Sequence, residues 1–187
     1  MTGRADMMGK SYLTMLTKEG YPVIPTIEHL QDLSLLPDCE KYMIKLKGGA
    51  DSIGMHVVDR EQLLTIELEG NIIQPFIDFV YEVSFYFIDK DFQYALYAPD
   101  KSKRWNLEMY EASAEDLIFA ERFISWNTVT HGIQRVDACR TSHGDLLLVE
   151  LEDLNPYLSL DLLNIETRDK FVTNFLESIS KTIEGHS

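Results

Sequence analysis

Three groups of residues in this chain have the types and spacing to do chemistry. The first is Ile44-Lys45-Leu46-Lys47-Gly48-Gly49-Ala50-Asp51-Ser52-Ile53-Gly54. A lysine at the end of a strand-like run, followed by small residues and a second strand-like run, can set an ammonium and several backbone amides around phosphate oxygens. The spacing is not that of a Walker loop, which needs GxxxxGK(S/T) and then a helix. A plain glycine-rich hairpin reads the same segment equally well. The second group is Arg135-Val136-Asp137 and, thirteen residues after Asp137, Glu150-Leu151-Glu152-Asp153-Leu154-Asn155-Pro156. Strand alternation puts Glu150 and Glu152 on one face, and Asp137 on a neighbouring antiparallel strand would add a third carboxylate. Buried carboxylates are costly unless paired or coordinated, and hard oxygen donors suit Mg2+. The same acids also fit a solvent-facing sheet edge, with Asn155-Pro156 opening a turn. The third group is Ile73-Gln74-Pro75-Phe76-Ile77 with Glu82 beyond it. The strand offers backbone groups and an apolar wall to a purine, and Glu82 offers a carboxylate to ribose hydroxyls. A core strand with one peripheral glutamate is the other reading.

The elements that must hold these groups follow from hydrophobic periodicity. Tyr12, Leu13 and Leu16 recur at helical spacing within Lys10 to Glu19, and Gly20 supplies a stop. Lys41 to Leu46 and Gly54 to Val58 read as strands entering and leaving the glycine-rich turn, and Asp59 caps a short helix through Leu64. Asn71 to Phe76 reads as a strand. Tyr81 to Ile88 and Phe92 to Tyr97 form a hairpin across Asp89-Lys90-Asp91. Trp105 to Tyr110 is a further strand-like run. Ser113 with Asp116 opens a helix from Ala114 to about Val129, and Gly132 ends that segment. Ile133 to Cys139 and Leu146 to Leu151 are strands, and a last helix runs from about Arg168 to Ile183. Hairpin-joined strands interleaved with helices predict an α+β fold rather than a doubly wound one.

The 187 residues suffice for one well-buried domain or two small lobes. A formal charge of −14 excludes a general nucleic-acid footprint, yet leaves room for a local cluster of lysines, amides and a cation that holds a small polyanion. Lys101, Lys103 and Arg104 make one basic interruption, which fits a solvent-facing loop or a phosphate contact. His131 fits a helix-end polar residue or a substrate contact, and His143 a turn. Cys39 and Cys139 have no CxxC spacing and read as buried thiols. No signal-peptide core or membrane-length apolar run is present, so a cytoplasmic protein without membrane or nucleic-acid partners is expected.

In their order along the chain these features resemble the ATP-grasp superfamily, above all the nucleotide-binding portion of enzymes like D-alanine-D-alanine ligase and glutathione synthetase. The resemblance runs from Lys10 to about Leu163. Lys10-Ser11-Tyr12-Leu13 matches the family's early lysine before a helix beside the active site, and Gly20 to Pro25 its glycine and proline-containing segment. Lys45 matches the phosphate-contacting lysine, with Ser52, Gly54 and Met55 on the flexible small loop. Gln74, Phe76 and Ile77 lie on the interlobe strand that cradles adenine, and Glu82 matches the acid that contacts ribose. Arg135 resembles an arginine near the transferred phosphate, and Asp137 and Glu150 match metal-binding acids. The family often places an asparagine two residues after the second acid. Here Glu152 stands there and Asn155-Pro156 follows three residues later, so Glu152, Asn155 or both complete the ligand set.

The resemblance implies an ATP-grasp fold of two lobes with mainly antiparallel sheets. Residues 1–70 would carry the glycine-rich phosphate loop and residues 71–187 the metal-binding acids. It implies ATP with Mg2+, or Mn2+ in its place, and a ligase that joins a small-molecule carboxylate to an amine or other nucleophile through an acyl phosphate. The α/β domain that precedes this portion in relatives has no counterpart before Lys10. Three expectations follow: the chain is a truncated product or catalytic fragment, a separate substrate-binding subunit or a homo-oligomer supplies the missing lobe, or substrate binding is reorganised. A nucleotide-binding partner subunit without its own ligase activity, and a structural α+β domain, are the alternative expectations.

Overall fold

The computed structural model describes residues 3–48, 54–66 and 68–184. The chain divides into two compact units, Met8–Asp78 and Met1–Met7 with Phe79–Ser187. The expected boundary near residue 70 moves for a physical reason. Asn71 to Pro75 pairs residue by residue with Lys41 to Leu46, which keeps that strand in the earlier unit.

In Met8–Asp78, helix α1 (Ser11–Lys18) buries Tyr12, Leu13 and Leu16, the face its periodicity marks. Strands β1 (Lys41–Leu46), β2 (His56–Asp59) and β3 (Asn71–Pro75) form an antiparallel sheet in the order β2-β1-β3. Tyr42 and Ile44 of the central strand alternate inward and meet Ile27, Leu36, Val58, Leu63 and Ile73 in one core. Asp59 caps the single-turn helix α2 (Arg60–Leu63), and Gln62 closes the capping box.

In the other unit, β4 (Phe79–Ile88), β5 (Asp91–Ala98), β6 (Glu108–Met109), β7 (Ile133–Thr141) and β8 (Leu146–Glu152) make a five-stranded antiparallel sheet, ordered β6-β5-β4-β7-β8. Long β4 is covered on both faces. Tyr86 and Ile88 pack with Phe171 and Leu163, and Val83, Phe85 and Phe87 are buried on the other side. Helix α3 (Ala114–Trp126) contacts β7 and β8, and α4 (Ile165–Glu184) contacts β4 and β5.

The Ser113-Asp116 capping box starts α3 as its sequence requires. The helix stops at Trp126 rather than Val129 because Asn127 turns extended and commits its amide to buried Gln134 and Asp153. Asn164, whose side chain accepts from the Thr167 amide, starts α4 three residues ahead of Arg168. The run from Trp105 yields only a two-residue strand. No helix among the described residues is long and apolar enough to cross a membrane.

Candidate functional site

The β7-β8 ladder sets the acids. Its register pairs Asp137 with Glu150 and Arg135 with Glu152, and a bulge after Asp137 brings Ala138 opposite Leu148. Alternation keeps Glu150 and Glu152 on one face, and both are partly buried. The third carboxylate that stands with them is Asp6: one oxygen from each of Asp6, Glu150 and Glu152 lies within 4.8 Å of the others. A cation bound octahedrally at about 2.1 Å needs donor oxygens roughly 3 to 4.2 Å apart. The three hard donors therefore fit a small divalent ion with modest side-chain adjustment.

Asp6 reaches the pair because the residues around it are pinned. Asp153 is buried and accepts from the Ala5 amide (3.1 Å), the Met7 amide (2.8 Å) and the Asn127 side chain (3.0 Å). Asn127 in turn accepts from the Arg4 amide at 2.8 Å. A Cβ on Gly3 would fall 1.9 Å from the Asp153 carboxylate, so only glycine admits the segment at this approach. Asp153 had a readable signal, since it shares the period-two face of buried Leu151 and a carboxylate there needs donors. Asp6 had none; its neighbours' partner lies 146 to 148 residues away in sequence.

Asp137 takes a different position from the one expected of a cation ligand. Arg135 clamps it through Nε and Nη2, each donating at 2.8 Å to one carboxylate oxygen, and Ser84 Oγ donates to Oδ1 at 2.6 Å. The same guanidinium lies 3.4 Å from Glu152 and donates through Nη1 to the Tyr157 carbonyl at 3.1 Å. Burial works against the Arg135 charge, but Asp137, Tyr86 and Glu152 outweigh it and raise the pKa above the usual arginine range. Burial also pushes the Tyr86 hydroxyl up to about 12. Arg135 thus couples Asp137 to the acidic pair as a fixed cation. Asn155 is exposed in the irregular segment after β8.

Other residues of this unit have local partners. Glu82 on β4 faces Arg104 at 3.8 Å. Lys101 donates to the Phe79 carbonyl at 3.4 Å and Lys103 lies 3.5 Å from Asp100. His131 Nδ1 sits 3.7 Å from Asp89, whose carboxylate also accepts from the Gly132 amide and Ser178. That cluster ties the β4-β5 turn to α4. His143 is exposed in the β7-β8 turn.

In Met8–Asp78, Lys45 lies on β1 opposite Ile72, partly buried on the strand face away from Tyr42 and Ile44. Lys10, just ahead of α1, donates its backbone N–H to the Lys47 carbonyl at 2.9 Å, which ties it to the same strand end. Lys47 Nζ is 2.6 Å from Glu28. Burial pushes the Glu28 pKa up, but hydrogen bonds from Lys47 and Ser11 overcome this and hold it below the ordinary carboxylate range. A cleft of about 630 Å3 opens beside this pair.

Gly54 has φ +74°, a left-handed conformation that favours glycine at the return of the loop. Ser52, with residues 49–51 and 53, lies outside the described residues. Gln74 is buried, and its amide donates to Thr26 Oγ1 at 2.9 Å, so its side chain is committed to the core. Phe76 is about half exposed, with its N–H on the Lys41 carbonyl, and Ile77 is partly buried just beyond it.

No protein-family model and no curated protein matches the chain. Solved structures do. D-cycloserine synthetase DcsG superposes with a TM-score of 0.66 at 19% identity, covering 93% of this chain and 69% of that one. The D-alanine–D-alanine ligase from Bacillus anthracis complexed with ATP gives 0.63 at 19%, covering 97% and 69%. The ATP-grasp ligase PsnB, complexed with a phosphomimetic variant of a minimal precursor, Mg and ADP, gives 0.62 at 15%, covering 89% and 56%. The chain therefore spans between 56% and 69% of the lengths of these three structures. The likenesses show the ATP-grasp fold, with the mixed helices and antiparallel sheets the sequence predicts.

Proposed function

We propose that the chain binds ATP with a divalent cation and forms the nucleotide-binding part of a carboxylate-activating ligase. The observation that carries this reading is the meeting of Asp6, Glu150 and Glu152 in a chain with the ATP-grasp fold. These acids would hold Mg2+ or Mn2+, which when bound supplies positive charge to phosphate oxygens. Arg135 is held charged and oriented by Asp137, whose carboxylate also accepts from Ser84, and would stabilise negative charge that develops on a transferred phosphoryl group. Lys45 and Lys10 would contribute ammonium groups from the strand end that leads into the glycine-rich segment, with Gly54 giving the loop its return. Phe76 and Ile77 would present backbone and apolar surface to the base, and Glu82 a carboxylate to the ribose.

In the reaction proposed, a carboxylate oxygen attacks the γ-phosphorus of ATP and ADP leaves, giving an acyl phosphate. An amine then attacks the acyl carbon, inorganic phosphate departs, and the amine nitrogen loses a proton. No covalent enzyme intermediate is required, so positioning and electrostatics are the protein's contribution. The test is ADP release from Mg-ATP across a panel of carboxylates and amines. Release that requires both co-substrates and is abolished by Arg135→Met supports the ligase. Tight Mg-ATP binding with no release from any pair supports instead a nucleotide-binding subunit without its own ligase activity.

A further inference from the structure

The turn Leu68-Glu69-Gly70-Asn71 leads into β3. The Asn71 N–H donates to the Leu68 carbonyl at 3.0 Å, and Gly70 takes φ +76° at the third position, as a type II turn demands. Glu69 therefore stands at the corner of the turn, exposed. The Gly70 carbonyl accepts from the Lys47 N–H at 2.9 Å, which holds the turn to the end of β1. The segment from Glu28 to Gln31 is fixed by its neighbour Ile27, which exchanges both backbone hydrogen bonds with Ile73 of β3 at 2.8 and 3.0 Å. Two walls anchored on one strand thus line the cleft of about 630 Å3, and Lys47 completes it. A preformed cleft of this size is typical of small-molecule sites.

The lining says what chemistry fits. Leu30, Ile66 and Leu68 turn part of their surface to the core and part to the cleft, which gives it an apolar strip. Glu28 is occupied by Lys47 at 2.6 Å and by Ser11, so the charges of Glu28 and Lys47 cancel. The Glu69 carboxylate has no ionic or hydrogen-bond partner among the described residues and leaves the cleft one negative charge in excess. An anion entering here would meet Glu69 and have to displace Glu28 from Lys47. A cation meets neither obstacle, and the chain's charge of −14 draws it in. We propose that this cleft binds a small primary amine with an apolar body, its ammonium on Glu69 and its hydrocarbon against Leu30, Ile66 and Leu68. The site lies wholly within Met8–Asp78 and uses none of the acids assigned to the cation, so it stands apart from the nucleotide reading. Glu69 and Gln31 are exposed at its rim, and binding is accordingly weak and fast.

The test is a titration of the full chain with 2-phenylethylamine, without nucleotide and at about pH 7.5, above the ordinary histidine range, followed through the backbone N–H resonances. The expected result is saturable shifts at residues 28–31 and 68–70 with a Kd of roughly 5 mM or tighter, the range for a ligand of about nine heavy atoms. Phenylacetate and 2-phenylethanol, matched in shape, should bind at least about three-fold more weakly, and so should ethylamine, which lacks the apolar body. Glu69→Gln should weaken the amine by at least about three-fold, and Glu69→Asp should keep part of the affinity. The Glu69 carboxylate makes no bond that the fold needs, so the melting temperature of both variants should match wild type. Resonances of residues 28–31 and 68–70 that stay unmoved, equal affinity for the alcohol or the acid, or unchanged affinity in Glu69→Gln would each overturn the proposal. Failure of ATP binding would leave it standing, because no nucleotide is present.

Discussion

At Asp153 a buried carboxylate meets two backbone amides and one side-chain amide, and the position of Asp6 follows from it. Removing the acceptor strands three donors in a buried place, so Asp153→Ala should cost on the order of 3 kcal/mol. It should also speed hydrogen exchange at the Ala5 and Met7 amides; unchanged exchange there would dissociate the segment from its anchor. Asp116 provides the pH-dependent counterpart. Burial raises its pKa, but hydrogen bonds from Arg140, Tyr110 and the Ser113 amide overcome this and leave it below the ordinary value. A depressed carboxylate adds stability that is present above the unfolded pKa and lost as pH falls through the folded one. Wild-type stability should therefore decline below about pH 4, and Asp116→Asn should flatten that decline while costing about 3 kcal/mol at neutral pH. Urea unfolding at pH 7 and pH 3 checks both. At this scale Glu150 and Glu152 were legible because period-two alternation is a local property. Asp6 was not, because a contact across most of the chain leaves no trace in spacing.

The elements were legible wherever a local device fixes them. Ser113 and Asp116 announce α3, and Ser113→Ala should lower stability by about 1 kcal/mol, read as a fall in melting temperature; no change would mean the Asp116 side chain suffices alone. The β4-β5 hairpin and the β7-β8 pair sit where alternation and turn residues place them. What escaped was set by tertiary pairing. The bulge after Asp137 shifts the ladder by one residue, and Arg135 turns along its own strand to clamp Asp137. The alternation that puts Asp137 opposite Glu150 is correct, yet it cannot say which cation the carboxylate meets. Likewise β3 reads as the start of a second lobe until its pairing with β1 assigns it to the first.

For the molecule as a whole, the order of motifs along the chain was the signal that survived a sequence identity of 15–19% to its structural neighbours. Fold class follows from that order together with the hairpin-rich pattern of elements. The two compact units hold the candidate residues in two sets, Lys10, Lys45 and Gly54 in one and Asp6, Arg135, Asp137, Glu150 and Glu152 in the other. The proposed ATP binding makes a separate demand of each set: a change at Lys45 and a change at Glu150 must each alter ATP binding. The direct measurement is calorimetric titration of ATP into the full chain with and without Mg2+, on wild type, Lys45→Ala and Glu150→Ala. The account predicts Mg2+-dependent binding in wild type, at least about ten-fold weaker in both variants, with the Mg2+ dependence largely gone in Glu150→Ala. Equal affinity and equal Mg2+ dependence in all three folded proteins would contradict it.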